Sequence, residues 1–295
     1  MKDVRDVVIL KAKAKINLFL EVTGRNAISG YHELHSLMLP LELHDEIRVK
    51  RAGELSVRFA KDSMFFVDVP QEGNVVYKVA RLLQARYGVN VDYEFEIVKN
   101  IPSAAGLGGG SSDAAVVLKF LIKKNRLAVT TEDLISLALQ IGADVPFFLE
   151  SRPQICQGFG EVMSDLQFSM PTNLYVLIVR PNVDVLTAKV FTNFHKQNIE
   201  YTDYRPVLSF REAVLRKNDL LECAILESEE IAKTLAVLQK LHGCIKYAMS
   251  GSGSSCFALF ESQADADRAM ESIGPDLATN SFVCLTRIVQ LASAK

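Results

Sequence analysis

The sequence predicts an α+β fold of two domains, and three observations carry that expectation. Stretches of period-two and period-3.6 hydrophobicity follow one another in an order that suits helices packed on antiparallel sheets better than a run of βαβ units. At 295 residues, 49% of them hydrophobic, the chain is long enough for two ordinary cores. Between residues 151 and 172 the patterning loosens, and a fresh apolar strand begins at Leu174. The expected junction lies there, within about ten residues, giving domains of residues 1–170 and 171–295.

Residues 7–22 alternate as a strand: Ala12, Ala14, Ile16, Leu18 and Leu20 share one face, and Lys11, Lys13, Lys15, Asn17 and Phe19 the other. Lys15 and Asn17 therefore point the same way. Further strands are expected at residues 46–50, 55–59 and 92–99, the last running into a glycine-rich loop. Residues 74–87 read as a helix stopped by Gly88, and residues 113–124 as another. Thr130 or Thr131 caps a third, over residues 131–140, which Gly142 closes. Beyond the junction come a strand at 174–180, helices at 212–224 and 227–241, and a strand before Ser250. A strand at 256–260, a helix over 264–273 and a strand at 282–290 complete the order.

The net charge of −2 and an isoelectric point near 6.2 leave no electrostatic footprint for nucleic acid or an anionic membrane. A polyanionic ligand has to be held by local groups. Five cysteines, Cys156, Cys223, Cys244, Cys256 and Cys284, are scattered and form no Cys-x-x-Cys pair. That argues against a disulfide framework or zinc site and for thiols in a reducing cytoplasm. Lys11, Lys13 and Lys15 interrupt the first apolar stretch, so neither a signal peptide nor a membrane span is expected there, nor a transit-like leader.

The most informative segment is Asn100-Ile-Pro-Ser-Ala-Ala-Gly-Leu-Gly-Gly-Gly-Ser-Ser-Asp113, which leads into an apolar helix. Gly106, Gly108, Gly109 and Gly110 have no side chain to hold a ligand off and adopt positive φ readily, so their N–H groups can converge on phosphate oxygens. The helix adds the positive end of its dipole. A Walker A loop would need a lysine after Gly110, where Ser111 stands, and the dinucleotide fingerprint would need a glycine at that same position. Gly158-Phe-Gly160 is not followed by the other protein-kinase elements.

Residues 102–112 resemble, with one extra glycine, the Pro-x-x-x-Gly-Leu-Gly-x-Ser-Ser motif of the GHMP kinases, which phosphorylate galactose, homoserine, mevalonate and phosphomevalonate. Lys13-Ala-Lys-Ile-Asn-Leu-Phe-Leu20 and Ser250-Gly-Ser-Gly-Ser-Ser-Cys-Phe-Ala-Leu259 fall where that superfamily has its other two motifs. Together with Gly30-Tyr31-His32 and Gly142-Ala-Asp144-Val-Pro146, they are similar to the branch acting on a cytidine diphosphate-linked methylerythritol in non-mevalonate isoprenoid synthesis. The likeness spans nearly the whole chain and is weakest between Tyr201 and Leu241. It implies a two-domain GHMP kinase fold, an N-terminal ATP-binding and a C-terminal domain with the active site in the cleft between them. It also implies ATP with Mg2+, a small-molecule substrate, no nucleic-acid or membrane partner, a cytoplasmic location, and a monomer or weak homodimer.

Phosphoryl transfer to an alcohol needs a phosphate cradle, positive charge on the migrating group, and a residue to orient or deprotonate the hydroxyl. The first is expected at Pro102, Ser103, Ala104, Ala105, Gly106, Leu107, Gly108, Gly109, Gly110, Ser111 and Ser112. Asp144, stiffened by Pro146, is the candidate for the third role; spacing alone leaves an Asx-turn open. Lys15 is the candidate for the second, against the bland reading of a solvated strand lysine, and Asn17 is placed to hold Asp144 or the hydroxyl. The resemblance puts the catalytic pair at Lys15 and Asp144, the cytosine at Tyr31 and His32, and a second stacking region at Thr187 and Phe191; these last four could equally be packing or surface residues. No Asp/Glu cluster identifies magnesium ligands, and Ser111 or Ser112 is the nearest oxygen donor. The same signs suit another GHMP kinase, for mevalonate or a sugar, an ATP-dependent decarboxylase, or a non-catalytic nucleotide-binding module.

Overall fold

The computed structural model describes residues 7–28, 30–197, 199–274 and 277–289. They sort into two compact units. One takes the described residues up to Ala14 with Leu43–Ser103 and Gly108–Ser151; the other takes Lys15–Glu42, Ala104–Leu107 and the described residues from Arg152 onward. The chain thus does not cross once near residue 170: the two strands β1 (Val8–Arg25) and β2 (His32–Arg51) are 18 and 20 residues long and give one part to each unit.

The first unit continues with β3 (Ser56–Phe59), α1 (Val75–Tyr87), β4 (Tyr93–Val98), α2 (Gly109–Lys124), α3 (Thr131–Ile141) and α4 (Val145–Glu150). Residues Glu46 to Arg51 of β2 run antiparallel to β4, and β3 runs parallel to β4. Alternation sets the register. Ile47, Val49, Val57, Phe95 and Ile97 fill the buried face, while Arg48 pairs with Glu96, Lys50 with Glu94, and Arg58 with both carboxylates on the other. Thr130 and Gly88 take the capping places expected of them, Thr130 accepting a first-turn N–H group and Gly88 closing α1 with φ of 62°, and Asn74, expected as the first helical residue, is the cap that accepts the Val76 N–H.

Two expectations are corrected here. The second helix starts at Gly109 and not at Asp113, so Gly109, Gly110, Ser111 and Ser112 form its first turn; Gly108, at φ 71°, is the turning residue before it. Residues 145–150, for which no element was expected, form a helix, because Pro146 at its start has the helical φ built in and lacks only an N–H that would be unpaired there.

The second unit adds β5 (Gln154–Gly158), β6 (Val162–Ser164), β7 (Tyr175–Arg180), α5 (Thr187–Lys196), α6 (Phe210–Leu215), α7 (Leu221–Glu227) and α8 (Glu230–Leu238), then β8 (Lys246–Met249), β9 (Cys256–Phe260), α9 (Gln263–Ser272) and β10 (Phe282–Arg287). The order β10-β7-β9-β8 makes an antiparallel sheet, and β5 pairs with Leu34 to Met38 of β2. Its core gathers Leu20, Val22, Leu177, Val179, Val190, Phe194, Leu220, Ile231, Leu238, Ala258 and Phe260. The expected helix over 212–224 is broken at 216–220. There the backbone turns to β1 instead, with Leu20 N–H donating to Lys217 and Asp219 N–H to Leu20, tertiary bonds that outweigh local propensity. The helix expected over 227–241 is shorter, at 230–238, α5 and the β5–β6 hairpin lie where no element was expected, and the last strand ends at Arg287, Gln290 lying outside the described residues.

Candidate active site

Strand β1 positions the lysine. Lys11 is exposed and Lys13 half-buried, but Lys15 is 3% exposed, and its ammonium donates to Asn17 Oδ1 over 2.6 Å. The two point the same way, as alternation requires. Asn17 is held by two further bonds: its amide donates to Ser36 Oγ at 2.8 Å, which donates onward to the Phe19 carbonyl at 2.6 Å, and the Asn17 backbone N–H donates to Ser250 Oγ at 3.2 Å. A side-chain amide so fixed presents its oxygen to Lys15 in one orientation only.

Residues Ala104 to Leu107 and the Ser250 turn meet within the second unit. Ser250 Oγ donates to the Gly106 carbonyl at 2.8 Å, Lys15 N–H to Leu107 at 2.9 Å and Ser255 N–H to Ala105 at 3.2 Å. A Cβ on Gly106 would lie 2.1 Å from the Ser250 carbonyl oxygen, and one on Gly251 would lie 3.4 Å from the Lys15 ammonium. Glycine is the residue that fits where two loops pack backbone against backbone beside a cation. Asn218 secures the turn from behind, donating to the carbonyls of Met249 and Gly251.

In the first unit, Gly109 to Ser112 form the start of α2, where the N–H groups of Gly109, Gly110 and Ser111 have no carbonyl within the helix and the dipole is positive, while Ser112 N–H donates to the Gly108 carbonyl at 2.9 Å. Ser112 Oγ is buried without a hydrogen-bond partner. Behind this turn Lys99 contacts Asp45 and Asp113. Burial alone would lower Lys99, but Asp113 and Asp45 hold it above its ordinary value; burial pushes the Asp113 carboxyl up to about 7 against the pull of Lys99, with Asp45 adding to the rise. Asp144 precedes α4, and its side chain makes no capping bond to that helix.

Around the expected base pocket, His32 stacks on Phe191 with ring centres 5.0 Å apart and meets Phe194 edge-on. Its Nε2 is buried without a partner, and burial, with the charges of Arg25 and His195, holds it below the usual histidine range. Tyr31 is 68% exposed, with its ring against Phe159, and Thr187 Oγ1 lies 2.8 Å from Ser252 Oγ. The structure therefore brings His32, Phe191, Thr187 and Ser252 into one unit, with His32 and not Tyr31 as the ring on Phe191.

Residues 74–152 match the model of the GHMP kinases N terminal domain, and residues 207–276 that of GHMP kinases C terminal. The chain is 33% identical to 4-diphosphocytidyl-2-C-methyl-D-erythritol kinase of Clostridioides difficile over 88% of its own length and 89% of the relative's. It is 35% identical to the protein of that name from Wolbachia pipientis, over 95% and 98%. The chain belongs to the 4-diphosphocytidyl-2-C-methyl-D-erythritol kinase family of GHMP kinases. A crystal structure of 4-(cytidine 5'-diphospho)-2C-methyl-D-erythritol kinase overlays this GHMP kinase with a TM-score of 0.77 at 30% identity, covering 95% of this chain and 99% of the other. A homoserine kinase from Cytophaga hutchinsonii shares the fold at 17% identity, TM-score 0.69, over 98% of each chain.

The family's use of ATP implies a magnesium ion. Among the described residues no group of three His, Cys, Asp or Glu side chains could hold one, but the orphaned Ser112 hydroxyl, in the first turn of α2, is a hard oxygen of the kind Mg2+ takes. Among those residues, too, no helix is long and apolar enough to cross a membrane, and the five cysteines are free thiols. Two residues carry little sign in the sequence: Ser36 has no local signal, and Asn218 leaves one hint, an asparagine in the middle of an expected helix, where its amide competes with the backbone.

Proposed function

We infer that this chain transfers the γ-phosphoryl group of ATP to the 2-hydroxyl of 4-diphosphocytidyl-2-C-methyl-D-erythritol, a step of non-mevalonate isoprenoid precursor synthesis. The observation that carries the reading is the buried Lys15 locked to Asn17 beside the Gly106–Ser250 contact, in a chain whose relatives of that name match it nearly end to end.

The transferred group passes through a loose transition state with charge on its outer oxygens, so positioning and electrostatics do most of the work. The donors of residues 102–112 hold the nucleotide phosphates. Lys15 supplies positive charge to the moving phosphoryl group and offsets the forming alkoxide, and Asn17 keeps that ammonium in place. Asp144 orients the hydroxyl and takes its proton as the new P–O bond forms. Magnesium, bound with ATP, neutralises phosphate charge, and Ser112 is the side chain that would meet it. Tyr31 and Phe191 flank the cytosine, the unpartnered Nε2 of His32 meets its polar edge, and Thr187 contacts the linked diphosphate. We place the enzyme in the cytoplasm, where the free thiols stay reduced.

The test is ADP release from Mg-ATP with the cytidine-bearing substrate, methylerythritol phosphate and mevalonate offered in parallel. Turnover confined to the cytidine-bearing compound supports the reading; turnover with mevalonate discards the cytosine pocket; nucleotide binding without turnover on any of them leaves a binding module.

A further inference from the structure

The first unit buries three charges against the start of α2, and the chemistry proposed above uses none of them. Lys99 follows the end of β4; its ammonium reaches Asp45 on β2 and, over 2.9 Å, Asp113 Oδ2 on α2. The three residues are 4%, 0% and 3% exposed. The second oxygen of Asp45 accepts the N–H groups of Asn100 at 2.6 Å and Ile101 at 2.8 Å, where the glycine-rich segment begins. The same ammonium lies 3.0 Å from the point that a Cβ on Gly109 would occupy. Gly109 and Asp113 are four residues apart on α2, hence on one helix face, so a single cation touches both ends of the turn that presents the phosphate donors.

One buried cation with two buried carboxylates is a costly way to hold a fold, since apolar side chains of similar volume often serve as well. What such a group adds is direction. Charge-assisted hydrogen bonds fix both distance and angle, so the helix start is set against the strand end more tightly than by packing alone.

We propose that Asp113 is a positioning residue for the nucleotide: through Lys99 it fixes the first turn of α2 against the end of β4, presetting the N–H donors of Gly109 to Ser111 for phosphate oxygens. This rests on the reading that ATP binds at that turn. Asp113→Ala leaves Lys99 paired with Asp45 and strands no buried charge, so the variant should fold. Calorimetric titration with Mg-ADP, without any acceptor, should show affinity down about tenfold, the scale of one charge-assisted hydrogen bond. In turnover the KM for ATP should rise by a similar factor, while the acceptor KM and kcat stay within about twofold. Asp113→Asn, which keeps an oxygen for Lys99, should recover most of the loss.

Unchanged nucleotide affinity in a folded Asp113→Ala would overturn the proposal, as would both KM values rising together with a lowered melting temperature. If that variant does not fold, Asp113→Glu serves: its extra methylene displaces the tie, and wild-type nucleotide affinity in it would equally overturn the proposal. Failure of the wild-type chain to bind Mg-ADP at all would instead remove the ATP reading itself.

Discussion

The Ser250 hydroxyl donates to the Gly106 carbonyl across 2.8 Å, joining two glycine turns far apart in sequence. Gly106 sits at φ 72°, and a methyl group there would strike the Ser250 carbonyl oxygen. Gly106→Ala should therefore lower stability by at least about 2 kcal/mol, from left-handed strain and backbone displacement together, and cut turnover more than a hundredfold. Ser250→Ala, which removes the bond to Gly106 and the one accepted from the Asn17 N–H but introduces no clash, should cost less, about 1 kcal/mol per bond. Urea melts of the two variants check the ordering; equal stabilities would show that the Gly106 contact relaxes freely.

Lys15→Met and Asp144→Asn should each reduce kcat by about two to four orders of magnitude while the far-ultraviolet circular dichroism stays that of the wild type. Lys15→Met also leaves the Asn17 oxygen without its ammonium, so Asn17→Ala should lose less than Lys15→Met but in the same parameter. A near-normal rate in either charged-residue variant removes that residue from the chemistry.

Recognition of the acceptor should separate from that of ATP. Tyr31→Ala and Phe191→Ala are expected to raise the acceptor KM about tenfold or more, the scale of one lost aromatic stack, with the KM for ATP held within twofold. Phe191 also packs on the His32 ring and the second unit's core, so it should lose some stability that the exposed Tyr31 does not. Parallel losses in both KM values for Tyr31→Ala would make that ring structural.

Lys246 supplies a pH signature. Burial lowers its amine from 10.5 to about 8, while the ammonium donates to the carbonyls of Val214 and Arg216. Between pH 8 and 10.5 the folded chain has released this proton and the unfolded chain still holds it, so stability attributable to Lys246 rises with pH across that window. The melting temperature of the wild type should therefore gain on that of Lys246→Met from pH 8 to 10; a constant difference would show that the amine is not perturbed.

Much of the site was legible because it rests on local chemistry. Period-two alternation along β1 puts Lys15 and Asn17 on one face whatever the rest of the chain does, and a run of glycines before a helix makes an anion cradle by backbone geometry alone. Less local facts are not legible: a run of glycines and serines reads as loop by its backbone freedom, yet Gly109 to Ser112 open α2, where the missing side chain of Gly109 is what allows Lys99 to approach.

The sequence by itself determined the α+β class, the Gly88 stop of α1, the Thr130 cap of α3 and, through its motifs, the GHMP kinase family, since each is written in short local patterns of residues. Tertiary structure alone decided which atoms join the Ser250 turn to Gly106, that Asn218 breaks a helix to hold the Ser250 turn, that His32 lies on Phe191, and that Lys99 gathers Asp45 and Asp113. Those pairs join residues tens to more than a hundred positions apart, and only burial, which obliges every polar group to find a partner, selects which of the many chemically acceptable partners each one meets.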